Sequence, residues 1–286
     1  MPASGPADPA GMGSRIKSAV VRLYQPRMLL TLATLAGLAI AAPQVFRLVK
    51  QVREQPEYQT ASGEIRLTPP PPHVPRSILA AALTRAELPD PFSRLEPDLA
   101  ARLHAALEEE PWVETVRGVV VRRDGVELHL DYRTPALVVP TPQGQYLVAA
   151  DGVLLPPETM DRLDLDALPR LQDEQSAPVA PAGRRWRNET VVTAARLAAD
   201  LGPLYAKASL GGLSADADRR WTLHTAGGSR IVWGTHQDIA TEPTREQKRQ
   251  RLAELLTARG PLQPGLRIDL TRWDVIAIDP LPRTRR

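Results

Sequence analysis

The chain has 286 residues, 43% of them apolar, enough to pack a core and to exclude a fully disordered polypeptide. Its 36 basic and 33 acidic residues leave a formal charge of only +3, so charge gives no sign of a general nucleic-acid-binding surface. Cysteine is absent, which excludes disulfide frameworks, thiolate metal sites and cysteine nucleophiles.

Lys17, Lys50, Lys207 and Lys248 are the only lysines, and with 29 prolines the chain is biased towards Arg and Pro, so an isolated Arg or Pro carries little weight. Residues 1–14 are rich in Gly, Pro, Ala and Ser and read as disordered, at the start of a basic cytoplasmic tail over residues 1–27. Met28 to Ala42 carries no charge. Extended to Phe46 the segment reaches 19 residues, roughly 28 Å of helix, close to a bilayer core. Arg15, Lys17, Arg22 and Arg27 precede it, whereas Arg47, Lys50 and Arg53 behind it are diluted by Glu54 and Glu57. Counting bases alone favours a cytoplasmic N-terminus, and the lack of any later apolar run leaves one crossing, over 28–46. A cleaved signal peptide competes, because Ala39-Ile40-Ala41 fits a small-x-small site; a buried core helix is the third reading. The basic flank that resumes after Phe46, and Pro43 beside the would-be cut, place the anchor first. The first two readings both export the chain beyond about residue 47.

Residues 47–61 read as a linker and 62–134 as a small domain. Gly63–Thr68 predicts a short strand, stopped by Pro69 to Pro72. Ile78, Leu79, Ala82 and Leu83 share a helical face that ends by Leu88-Pro89. A second helix opens near Pro97, with Leu95, Leu99, Leu103 and Leu107 at four-residue spacing. The period then changes to two. Val113–Arg122 and Val126–Tyr132 flank Asp124-Gly125, a hairpin signal in which both central residues take positive φ.

Residues 135–280 read as a mainly β domain and 281–286 as a basic tail. Strands are expected at Ala136–Val139, Gln145–Ala149 and Val153–Leu155, followed by a long loop over 156–186. Asn188 caps a helix bearing Val191, Ala195, Ala198 and Leu201, which Gly202 ends. Further strands are expected at Ala206–Leu213, Trp221–Thr225 and Arg230–Trp233. A capping box of Thr244 and Gln247 opens a helix with Leu252, Leu255 and Leu256 inside and Gly260 at its end. Leu266–Leu270 and Asp274–Asp279 close the chain as strands. The fold class is α+β.

Residues that could carry chemistry do not form a catalytic set. His73, His104, His129, His224 and His236 lack metal-ligand spacing and read as solvated surface residues. Ser214 lacks the G-x-S-x-G context of a nucleophile elbow, and Asp216 with Asp218 lacks the rest of a calcium loop. Gly211-Gly212 and Gly227-Gly228 have no phosphate-cradle spacing, and Arg184-Arg185-Trp186-Arg187 reads as a solvated approach to the Asn188 helix. No catalytic, metal or cofactor site is expected. What remains is a C-terminal strand whose edge can pair with another chain.

Particular residues carry a resemblance. Pro111-Trp112-Val113 with Val116 and Val119 to Arg122, then Arg133-Thr134-Pro135-Ala136, then Tyr146-Leu147-Val148 with Gly152 and Val153, stand in a recognisable order. Trp221-Thr222-Leu223, Gly227-Gly228, Ile231 and Gly234 come next, and Ile268-Asp269-Leu270 with Val275 and Ile276 complete it. This pattern resembles the bitopic cell-division proteins of the FtsQ/DivIB type. The resemblance implies a transmembrane helix, a POTRA-like β-α-α-β-β domain at 62–134 and a mixed, mainly antiparallel β domain with two helices at 135–280. It implies a non-enzymatic scaffold of septal wall synthesis whose partners are small coiled-coil membrane proteins of the FtsB/FtsL or DivIC kind. The edge that would receive them is Trp273, Asp274, Val275, Ile276, Ala277, Ile278 and Asp279. Two other readings stand beside it: a POTRA-bearing component of outer-membrane assembly or secretion, and an exported cell-wall enzyme.

Overall fold

The computed structural model describes residues 26–281 except 173, 175, 176 and 203, so both predicted tails, apart from Pro26, Arg27 and Leu281, lie outside the described residues. The described chain divides into two compact units, one running to Thr60 and including Pro91–Pro97, the other comprising Ala61–Asp90 and everything from Asp98.

In the first unit, helix α1 (Pro26–Arg53) runs for 28 residues. Leu30–Arg53 is long and apolar enough to cross a membrane, with a mean hydropathy of 1.6 and none of that window buried. The helix passes beyond Phe46 into the predicted linker. Strand β1 (Gln59–Thr60) then pairs antiparallel with β3 (Phe92–Ser93). Leu95, placed by periodicity on the second helix, precedes it and is exposed.

The second unit opens with β2 (Arg66–Leu67), shorter than the predicted strand because Ser62–Glu64 winds into a 3-10 turn. Helices α2 (Ile78–Arg85) and α3 (Leu99–Glu108) come next, burying Ile78, Ala82 and Leu83 and Leu99, Leu103, Ala106 and Leu107. Strands β4 (Val113–Arg122) and β5 (Gly125–Tyr132) complete a sheet ordered β2-β5-β4, β2 parallel and β4 antiparallel to β5. Strand, helix, helix, strand, strand is the observed order. The hairpin turn is one residue earlier than predicted: Arg122 faces Gly125, so Arg123 and Asp124 form the loop, and Gly125 alone carries a positive φ, +155°.

The rest is one long sheet. β6 (Pro135–Thr141) and β7 (Gly144–Ala149) form a hairpin. Helices α4 (Glu189–Leu201) and α5 (Leu204–Lys207) lead to β8 (Leu210–Ala215), β9 (Trp221–Thr225) and β10 (Arg230–Gly234). Helix α6 (Arg245–Arg259), β11 (Leu266–Asp269) and β12 (Ala277–Pro280) end the described chain, with strands ordered β12-β11-β10-β9-β8. α5 occupies the start of a stretch predicted to be extended; Tyr205 N–H turns back to Gly202 O (3.1 Å), and Ala206 and Lys207 favour a helical turn.

The predicted loop at 156–186 supplies the missing links. Leu171 N–H donates to Val138 O (2.9 Å) and Gln172 N–H to Leu213 O (2.8 Å), so residues 169–172 join β6 to β8. Gly212 permits this approach, because a Cβ there would lie 2.8 Å from the Gln172 amide nitrogen and 3.1 Å from Arg170 O. At the far end Leu154 pairs with β7, and Trp186 N–H donates to Gly152 O (2.9 Å), so Arg184–Trp186 form the far rim. One face of the sheet packs under α4 and α6. Val191, Ala195, Leu201 and Leu252 meet Trp221, Leu223, Ile231, Trp233 and Ile268 in a single core. Asn188 and Thr244 cap α4 and α6 as expected, the latter with a complete capping box.

Candidate functional site

The sheet has two rims of different character. At the far rim Arg184, Arg185 and Arg187 are exposed around the buried Trp186, and charge on a short edge opposes pairing with another chain. At the near rim β12 pairs antiparallel with β11, with no described strand on its outer side.

The ladder fixes which groups β12 offers. Leu281 N–H donates to Gly265 O (2.7 Å) and Leu266 faces Pro280, so the mutually bonded pairs are Arg267 with Asp279 and Asp269 with Ala277. By alternation Ile278 turns its own N–H and C=O outward. Pro280, lacking an N–H, takes the next outward position, where an edge strand tolerates it. Ile276 and Ile278 pack against the core, whereas Val275 and Trp273 are exposed, at 56% and 44%.

Of the seven predicted edge residues, only Ala277, Ile278 and Asp279 lie in the strand; it begins three residues later than expected. Local hydrogen bonds hold the preceding segment in another shape. Thr271 donates its N–H (2.9 Å) and its hydroxyl (2.6 Å) to Asp269 Oδ1, and the Arg251 guanidinium on α6 donates to Arg272 O (2.6 Å) and to Trp273 O.

Behind this edge lies a buried charge network that the sequence did not announce. Lys248 and Glu242 side chains are 1% and 5% exposed and meet at 2.7 Å. Glu242 Oε2 also accepts Thr235 N–H (3.0 Å), Oε1 meets Arg220 at 2.8 Å, and Lys248 donates to Thr235 O (3.1 Å). The ammonium stands 5.9 Å from the centroid of the Trp233 ring. Burial pushes the Glu242 carboxyl upward, but Lys248, the Thr235 N–H and Arg220 outweigh it and hold the group below its ordinary value. Gly234 has φ +78°, and a Cβ there would lie 2.3 Å from Glu242 Oε2 and 2.6 Å from Thr271 Cγ2, so only glycine fits beside the network. The one legible signal was Lys248 itself, one of four lysines in a chain whose other basic residues are arginine.

The histidine reading needs a correction at His236, which is buried, with neither ring nitrogen hydrogen-bonded and Asp200 3.9 Å from Nε2. Loss of hydration lowers its pKa; Asp200 and Asp238 pull the other way, and Arg245 and Arg196 add to the lowering. The folded chain refuses a proton that the unfolded chain accepts, so stability should decline as pH falls below about 6.5, until the folded pKa is passed. Urea midpoints of the wild type should drop over that range more steeply than those of His236→Leu; equal slopes would remove His236 as the cause.

Ser214 Oγ lies 2.7 Å from His224 Nε2, on the face of the sheet opposite α4 and α6. A serine nucleophile also needs donors for an oxyanion. Here β8 runs between β9 and residues 169–172, so its backbone N–H groups face neighbouring strands rather than a cleft. Among the described residues no group of three or more His, Cys, Asp or Glu side chains could hold a metal ion.

An apolar helix able to cross a bilayer, a β-α-α-β-β unit and a long sheet with one rim that no described strand covers fit a single-pass membrane protein of the α+β class. Residues 136–274 match the family described as "Cell division protein FtsQ/DivIB, C-terminal". This match to the C-terminal domain of a cell-division family supports an FtsQ/DivIB-type protein with a role in cell division. No curated protein matches it.

Proposed function

We propose that this chain is a non-enzymatic scaffold of septal wall synthesis. α1 anchors it in the inner membrane with the N-terminus in the cytoplasm, residues 62–134 act as a POTRA domain, and residues 135–280 receive a partner. The partner is a small coiled-coil division protein of the FtsB/FtsL or DivIC kind, which adds an extended segment to β12. One observation carries this reading: Ile278 turns its backbone pair outward on a rim with no described neighbour, next to exposed Val275 and Trp273. Backbone hydrogen bonds supply affinity and the flanking side chains set register. The guarded far rim directs strand addition to β12.

Ile278→Pro removes the outward N–H without taking a donor from the β11 ladder, whereas Ile278→Ala keeps the donor and trims the side chain. Capture of a purified FtsB/FtsL or DivIC-type segment should weaken at least tenfold in the proline variant relative to the alanine variant, roughly the loss of one or two interfacial hydrogen bonds. Equal binding by the two variants would refute strand addition. A fluorescent fusion should collect at midcell in dividing cells, and uniform envelope staining would count against the septal assignment.

A further inference from the structure

We propose that the last two turns of α1 form a collar that selects anionic phospholipid headgroups. The helix runs from Pro26 to Arg53, about 42 Å at 1.5 Å per residue. That matches a bilayer with its headgroup layers, about 40–45 Å, rather than the hydrocarbon core alone. Beyond Phe46 the helix is two-sided. Arg47, Lys50 and Arg53 recur every three residues along one side. Leu48, Val49 and Val52 occupy the other and are exposed, from 40% to 61%.

Glu54 opposes Lys50 at 3.8 Å, while Arg47 and Arg53 have no described ion pair. A helix of this pattern, continuous with a membrane span, lays its apolar side in the acyl boundary and sends its basic side chains up to the phosphates. The neighbouring ligand is then the headgroup layer of whichever leaflet the helix leaves. Phosphatidylglycerol is the fitting chemistry, because it adds net negative charge where three bases converge. This rests on α1 crossing the bilayer.

The absence of cysteine makes Gln51→Cys a unique labelling site. Full-length chain carrying a spin label there is reconstituted into vesicles of phosphatidylcholine, with or without phosphatidylglycerol. The label should report headgroup depth, and the protein should prefer spin-labelled phosphatidylglycerol over phosphatidylcholine. The preference should fall about fivefold for the first collar charge removed and collapse in R47Q/K50Q/R53Q, and high salt should weaken it. Substituting Arg22 and Arg27 at the other end should leave this loss on collar substitution in place. Alkaline carbonate extraction separates the two readings. A chain that stays in the membrane, yet shows the same preference after the triple substitution or a fully aqueous label at residue 51, overturns the collar. A chain released by carbonate overturns the span as well.

Discussion

Lys248→Met is expected to cost about 3 kcal/mol of folding stability, because it leaves the Glu242 carboxylate in a site from which water is excluded. The Glu242 side chain is 5% exposed, and with Lys248 gone it keeps Thr235 N–H and Arg220, the latter 43% exposed and less able to neutralise a buried charge. The loss arises from the orphaned charge rather than from the pair as such, so the double substitution Lys248→Met with Glu242→Gln should recover most of it. Urea denaturation of the four proteins in this cycle measures the coupling. A cost below about 1 kcal/mol for Lys248→Met would mean that the loop opens to admit water. Acid should expose the same network. Because Glu242 is held below its ordinary range, its contribution is present above about pH 4.5 and is lost as pH falls through the folded pKa. The network ties residues 234–242 to α6, which also carries Arg251, so Lys248→Met should loosen the approach to β12 too.

Arg133→Ala is expected to free the β-α-α-β-β unit from the long sheet at a cost of about 3 kcal/mol. The Arg133 side chain, 13% exposed, meets Asp151 at 2.8 Å and donates to Pro111 O (2.9 Å) and Val113 O (2.5 Å). Its backbone serves the same joint, Arg133 N–H to Trp112 O (2.9 Å) and Arg133 O to the His73 ring (3.3 Å). One guanidinium therefore closes the start of β4 onto the turn after β7. An ammonium cannot span a carboxylate and two carbonyls in one plane, so Arg133→Lys should recover less than half of the loss. Denaturation midpoints and the rate of proteolytic cutting between Tyr132 and Pro135 test this. Wild-type behaviour of Arg133→Lys would reduce the residue to a simple charge.

Much of this arrangement is legible in the amino-acid order. Caps and hairpins are local devices: Asn188, the Thr244 and Gln247 box and the β4–β5 turn signal depend on a few adjacent residues, and the structure departs from them by one position at most. The start of β12 is not legible, because side chains from elsewhere, Asp269 and Arg251, claim the backbone of residues 271–273. The loop at 156–186 hides its role for the same kind of reason. Residues 169–172 become a sheet element only because β6 and β8 stand on either side of them.

The sequence alone determined the lone apolar segment, most of the order of strands and helices, the absence of cysteine chemistry and the motifs that resemble the FtsQ/DivIB family, since these arise from composition and short-range periodicity. Tertiary structure alone decided that Lys248, Glu242 and His236 are buried, that Arg133 is a joint, and that one rim of the long sheet is charged while the other has no neighbour among the described residues. Burial, and whether an edge has a neighbour, depend on residues far apart in the chain. A one-dimensional pattern can name the strand but cannot say what lies beside it.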